Sequence, residues 1–157
     1  MVQLKLGVDI GGVIIGAHRA DEEFPEIEGA LMALTRFNKD EESPFKNNVF
    51  LVSRANPQQQ VNSLGWLCKK GFYQKTGISF DKIFFCPERV GKAGICVKNA
   101  ITHFVDDRLE VLCYLHTVSI TNLFLFQGRP DEIADYEHGL KFVRQMERWS
   151  ALEALYF

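Results

Sequence analysis

The 157 residues suit one domain with its own apolar core, and 46% hydrophobic and 24% charged residues describe an ordinary globular chain. A formal net charge of −2 gives no general pull toward nucleic acid or an anionic membrane, so neither is an expected partner. The four cysteines (Cys68, Cys86, Cys96, Cys113) lack CxxC spacing and read as buried free thiols. No apolar run approaches the ~20 residues of a membrane span, and the start lacks a signal peptide's basic residues and small-residue cleavage site, so the expected location is the cytoplasm.

Val2, Leu4, Leu6 and Val8 alternate with Gln3, Lys5 and Gly7, which predicts a β-strand. It stops at Asp9, with Gly11 and Gly12 just behind. Glycines there let backbone amides approach an anion and permit a tight turn. A loop or small hairpin follows, with Gly16 and Pro25 as breakers. Ile27, Ala30, Leu31, Leu34 and Phe37 then keep helical spacing, with Pro25 and Glu26 at the expected helix entry. The polar stretch 38–48 reads as a solvated loop.

Val49–Val52 is a short unbroken apolar run, as in strands buried on both faces, and it ends at Ser53. Asn56-Pro57 opens the next helix, whose Val61, Leu64, Leu67 and Cys68 are spaced as a core stripe, and Gly71 and Gly77 mark its stop and a turn. Ile83–Cys86 is a third run, closed by Pro87. Residues 90–99 read as a short helix. Ile101–Val105 is a fourth run and stops at Asp106-Asp107. A helix carrying Leu109, Val111, Leu112 and Leu115 precedes a fifth run, Val118–Phe126. From Asp131 onward, Ile133, Tyr136, Leu140, Val143, Met146 and Trp149 predict one long amphipathic helix.

Strands and helices therefore alternate five times. That predicts a single three-layer, Rossmann-like α/β domain over residues 1–157, with a five-stranded, mainly parallel sheet and helices on both faces. Sites in such sheets lie beyond the carboxyl ends of the strands. Those ends carry Asp9, Ser53, the loop after Cys86, Asp106-Asp107 and the loop after Phe126, so the candidate polar groups share one edge. Singly, each has an ordinary explanation. Ser53 could cap a helix, Lys92 could be a surface lysine, and Asp106-Asp107 could open the following helix, where acids suit the dipole.

Together they resemble the haloacid-dehalogenase-like superfamily of phosphohydrolases. Asp9-Ile10-Gly11-Gly12-Val13 resembles the family's first motif, a strand ending in a nucleophilic Asp. Phe50-Leu51-Val52-Ser53 resembles the second, a strand ending in Ser or Thr. Lys92 fits the lysine ahead of the fourth strand, with Lys98 and Lys70 as competitors for its place. His103-Phe104-Val105-Asp106-Asp107 resembles the acidic fourth motif. The resemblance spans essentially the whole chain.

It implies that Asp9 attacks a phosphoryl group and splits one hard step into two. It also implies Mg²⁺, an oxygen-preferring cation, held by Asp9, the Gly11 carbonyl and Asp106 with help from Asp107. Ser53 and the Arg54 amide would bind phosphoryl oxygens, and Lys92 would neutralise charge. The expected partner is a phosphorylated small molecule or another phosphorylated substrate. Arg108 and Arg129 lie where they could meet an anionic substrate. His103, inside the fourth strand, reads as a core histidine, while His18 could reach the site.

Two departures matter. The family's general acid/base is a second Asp, and Gly11 stands at that position. This points to a weak enzyme, to one suited to good leaving groups such as acyl phosphates, or to His18 as a substitute. The alternative is a catalytically inactive binding or interaction protein that kept the fold. The second departure is size. Only 43 residues separate Asp9 from Ser53 and 38 separate Ser53 from Lys92, so no large cap domain fits. The loops 14–25 and 38–48 are the local lid candidates, and a neighbouring subunit of a homo-oligomer could also cover the site. Leu6-Gly7-Val8-Asp9-Ile10-Gly11-Gly12 also looks like the phosphate-binding start of actin-like sugar kinases, a reading that leaves Asp106-Asp107 unexplained.

Overall fold

The computed structural model of the chain describes residues 3–17 and 24–157; Val2 of the first predicted strand and His18 lie outside them. Six strands form one sheet: β1 (Leu6–Val8), β2 (Val49–Arg54), β3 (Ile83–Cys86), β4 (His103–Asp106), β5 (Asn122–Phe126) and β6 (Val143–Met146). Their order is β3-β2-β1-β4-β5-β6, and every neighbouring pair is parallel.

The side-chain period of two explains the layers. Leu51, Val105, Phe124 and Phe126 face one core with Leu6 and Val8, while Phe50, Val52, Phe104, Leu123 and Leu125 face the other. The first core is covered by α1 (Ala30–Lys39), α2 (Pro57–Lys69), α3 (Phe72–Thr76) and α7 (Trp149–Tyr156). The second is covered by α4 (Gly91–Lys98), α5 (Leu109–Thr117) and α6 (Pro130–Asp135). Strands buried on both faces carry the unbroken apolar runs seen in the sequence. No described helix is long and apolar enough to cross a membrane.

Helix starts follow local chemistry. The Glu26 carboxylate accepts the Leu31 amide at the entry to α1, and Gly29 turns the chain there at φ +80°. Ile27 thus precedes the helix. At α2 the Asn56 side chain accepts the Gln59 amide, and the Gln59 side chain accepts the Asn56 amide in return.

Four expectations need correction. The sheet has six strands, not five. The predicted helix after Asp131 is instead α6, a 3₁₀ turn (Glu137–Phe142), β6 and α7. Only the two ends of the short edge strand β6 pack inward, Val143 against one core and Met146 against the other, while Arg144 and Gln145 between them are exposed, so the pair imitated helical spacing. The α2 stripe is half wrong: Leu67 is buried, but Val61 is 64% exposed and Cys68 is exposed. Finally, residues 38–48 are not a solvated loop. Phe45 is buried, and the Ser43 hydroxyl donates to the Phe37 carbonyl. This segment leads into β2 at the amino end of the strands, away from the Asp9 edge, so it is no lid.

Candidate active site

The chain leaves β1 toward β2 and β3 on one side, then returns to place β4 on the other. The crevice between the ends of β1 and β4 is thus the switch point where such sheets bind ligands. Asp9 follows β1, and Asp106 and Asp107 sit at the end of β4. All three are buried, and one carboxylate oxygen from each lies within 4.8 Å of the others.

Lys92 enters from the first turn of α4. Its Nζ lies 3.0 Å from Asp9 Oδ1 and 2.8 Å from Asp106 Oδ2, and the residue is only 2% exposed. Lys98, at the far end of α4, and Lys70, 5.6 Å from the Trp66 ring, do not compete for this position. Asp9 Oδ1 also accepts the Ile10 amide at 2.8 Å, which fixes the carboxylate at the strand exit. Asp106 Oδ1 accepts the Arg108 amide at 2.9 Å, and Arg129 Nη2 donates to Asp107 Oδ2 at 3.2 Å.

Gly12 has φ +81°, and a Cβ there would lie 2.2 Å from Asp107 Oδ2, so only glycine fits beside this carboxylate. Gly11 differs. It has no positive φ, and a Cβ added there would meet nothing within 4 Å. Its lack of a side chain is therefore not a steric requirement.

The electrostatics match the crowding. Burial first, and the Asp9 charge second, raise the Asp106 carboxyl well above its usual range against the pull of Lys92. The same two causes lift Asp107 to about 6, opposed by Arg129. Burial alone would lower the Lys92 ammonium, but Asp106 and Asp9 more than offset it and the net displacement is upward. Three carboxylates thus meet one buried ammonium and one partly exposed guanidinium, leaving negative charge uncompensated. An all-oxygen set of that charge fits a hard divalent cation such as Mg²⁺.

The site opens into a cavity of about 480 Å³, within the range of small-molecule pockets. Asp9, Gly11, Ser53, Arg54, Lys92 and Asp107 all line it, and Asp106 sits behind them. The Ser53 hydroxyl has no hydrogen-bond partner among the described residues. Every residue expected at the site from sequence, apart from His18, therefore lies at or against one cavity. His103 does not. It begins β4, at the opposite end of the strands, where its ring packs against Phe45, Tyr156 and Phe124 and Nδ1 lies 2.8 Å from Thr102 Oγ1.

Three groups of residues escaped the sequence reading. Gln59, Asn62, Ser63 and Trp66 form an i, i+3, i+4, i+7 stripe of α2 along the cavity wall. That stripe was legible in principle, but it is polar and looked like a solvent face. Arg89 also lines the cavity, from the loop before α4. Glu132 Oε1 accepts the Leu109 amide at 2.8 Å and so anchors the start of α5 behind Asp106-Asp107. No local pattern announces that long-range cap.

No family model matches the sequence, and no curated protein does. Among solved structures, the fold is similar to that of a protein from Burkholderia xenovorans LB400 classed as a haloacid dehalogenase-like hydrolase, with a TM-score of 0.57 and 15% identity. The match covers 81% of this chain and 57% of that one, so this chain spans little more than half the length of its structural neighbour. At that identity the likeness is one of fold: a parallel α/β sheet with helices on both faces.

Proposed function

We propose that the protein is a Mg²⁺-dependent phosphohydrolase of the haloacid-dehalogenase-like type, a single domain without a large cap, with Asp9 as its nucleophile. The observation that carries this reading is the convergence of Asp9, Asp106 and Asp107 at the switch point of the sheet, with the Lys92 ammonium held between Asp9 and Asp106. The name of the structural neighbour adds a consistent precedent.

Asp9, Asp106 and Asp107, with the Gly11 carbonyl, would hold the cation. When bound, Mg²⁺ supplies positive charge that lets an anionic nucleophile meet an anionic phosphoryl group. Asp9 attacks phosphorus as the bond to the leaving oxygen breaks, and that oxygen departs with the bonding electrons. Water then attacks the phosphorus of the aspartyl phosphate, freeing inorganic phosphate and the Asp9 carboxylate and losing its proton to solvent. Ser53 Oγ and the Arg54 amide steady the phosphoryl oxygens, and Lys92 balances the charge of Asp9.

Gly11 supplies no proton to the leaving group. General acid help is worth roughly 10²–10⁴-fold, so the substrates that suit this site have leaving groups that depart unprotonated, such as acyl phosphates. The same glycine favours a second reading, a relative that binds a phosphorylated ligand without turning it over. One experiment separates them: acetyl phosphate hydrolysis with Mg²⁺ and with EDTA. The enzyme reading expects release of phosphate with Mg²⁺ that EDTA stops. Acetyl phosphate that binds but persists at its uncatalysed rate supports the binding protein and overturns the enzyme.

A further inference from the structure

One cation of the cavity lining is left without an acid to face among the described residues. The lining contains two carboxylates, Asp9 and Asp107, but five cations: Lys92, Arg54, Arg89, Arg108 and Arg129. The chain as a whole is slightly acidic, at a formal −2, so the concentration of cations here is local. Four of the five already face acids. Lys92 lies between Asp9 and Asp106, and Arg129 meets Asp107 at 3.2 Å. Arg89 lies 3.6 Å from Glu110, and Arg108 lies 3.6 Å from Glu132. Arg54 has no acidic partner and no side-chain hydrogen bond among the described residues, and it is exposed.

Arg54 also stands at an informative place. It is the last residue of β2, directly after Ser53, whose unpartnered hydroxyl faces the same cavity. Ile15, Trp66 and Val111 give the same cavity apolar lining, and Asn62 and Ser63 give it polar lining. The space is too large for inorganic phosphate alone and suits a whole small molecule. A guanidinium is the side chain best matched to a phosphate or carboxylate, through paired hydrogen bonds.

We propose that the cavity selects small phosphate esters carrying a second anionic group, and that Arg54 receives that group. The inference rests on the phosphoryl-binding reading of Asp9, Ser53 and Lys92. The acidic chain disfavours a nucleic-acid end as the natural ligand, because polynucleotide binding draws on an extended basic face.

The test uses two probes that differ by one phosphate: propyl phosphate and propane-1,3-diyl bisphosphate. Calorimetric titration of the full chain, with Mg²⁺ in excess over total phosphate, gives both dissociation constants. The wild type is expected to bind the bisphosphate about tenfold more tightly, the low end for a hydrogen bond to a charged group. Arg54→Gln should shrink that ratio below about threefold, and Arg54→Lys, which keeps the charge, should retain part of it. Equal binding of the two esters by the wild type overturns the inference and leaves the phosphoryl reading standing. A ratio that survives Arg54→Gln overturns the assignment to Arg54. Failure of both esters to bind overturns the underlying reading as well. A 5′-phosphorylated oligothymidylate that outcompetes the bisphosphate, with steep salt dependence, overturns the small-molecule assignment.

Discussion

Replacing Gly11 by Asp should convert the site from one that needs a good leaving group into one that tolerates a poor one. The backbone permits it, since Gly11 has no positive φ and an added Cβ has open space around it. The new carboxyl would enter the cavity that Asp9 and Asp107 also line, where burial and neighbouring charge already raise Asp107 to about 6. Like charge on the neighbouring carboxylates disfavours the ionised form of an added acid, and an acid that titrates nearer neutrality is a better proton donor. A general acid contributes about 10²–10⁴-fold, equivalent to roughly 3–5 kcal/mol of barrier at 1.36 kcal/mol per decade. The gain should grow with the pKa of the leaving alcohol. It should be small for acetyl phosphate, intermediate for p-nitrophenyl phosphate and largest for an alkyl phosphate. The assay is kcat for the three substrates in wild type and Gly11→Asp, with Mg²⁺ binding and circular dichroism as controls. A folded variant that binds Mg²⁺ yet hydrolyses alkyl phosphates no faster than wild type refutes the view that Gly11 marks the missing proton donor.

Lys92→Met removes the ammonium from between two buried carboxylates. Losing one partner of a buried pair costs about 3–5 kcal/mol, and urea unfolding in EDTA should show a loss of this order. Saturating Mg²⁺ should recover part of it by mass action on the native state; a loss below about 1 kcal/mol in EDTA would contradict the charge balance described above. Burial lowers the His103 imidazole to about 4. The unfolded chain, with His103 near 6.5, then binds more protons between these values, so this contribution is complete above pH 6.5 and is lost as pH falls toward 4. The displacement corresponds to about 3 kcal/mol at most. His103→Phe, which keeps a ring among Phe45, Phe124 and Tyr156, should flatten stability against pH over that window; parallel curves for the two proteins would exclude His103 as the cause.

The central strands were legible because β1, β2, β4 and β5 are covered on both faces and must be apolar throughout. The grouping of the candidate site residues was legible because they sit at strand ends, where an apolar run stops at Asp9, Ser53 or Asp106. The edge strand was not, since only the ends of β6 are covered, and its Val143 and Met146, which pack into different cores, fall at a spacing that a helix also uses. Trp149 extended the illusion, although it belongs to a separate helix and donates its indole N–H to the Val13 carbonyl. The cavity wall was hidden for a different reason. Gln59, Asn62 and Ser63 face the cavity but are polar, and sequence alone gives that face the look of a solvated one. Long-range pairs such as Glu132 with the Leu109 amide join segments whose spacing carries no pattern.

The most direct test of the account asks where the phosphoryl group goes. Acetyl phosphate is mixed with the protein and Mg²⁺, quenched rapidly in acid, and the peptides are read by mass spectrometry. The account predicts phosphate on the peptide that carries Asp9, localised to that residue, and neither label nor turnover in Asp9→Asn. Turnover that persists in Asp9→Asn, or a label on any other residue, contradicts it.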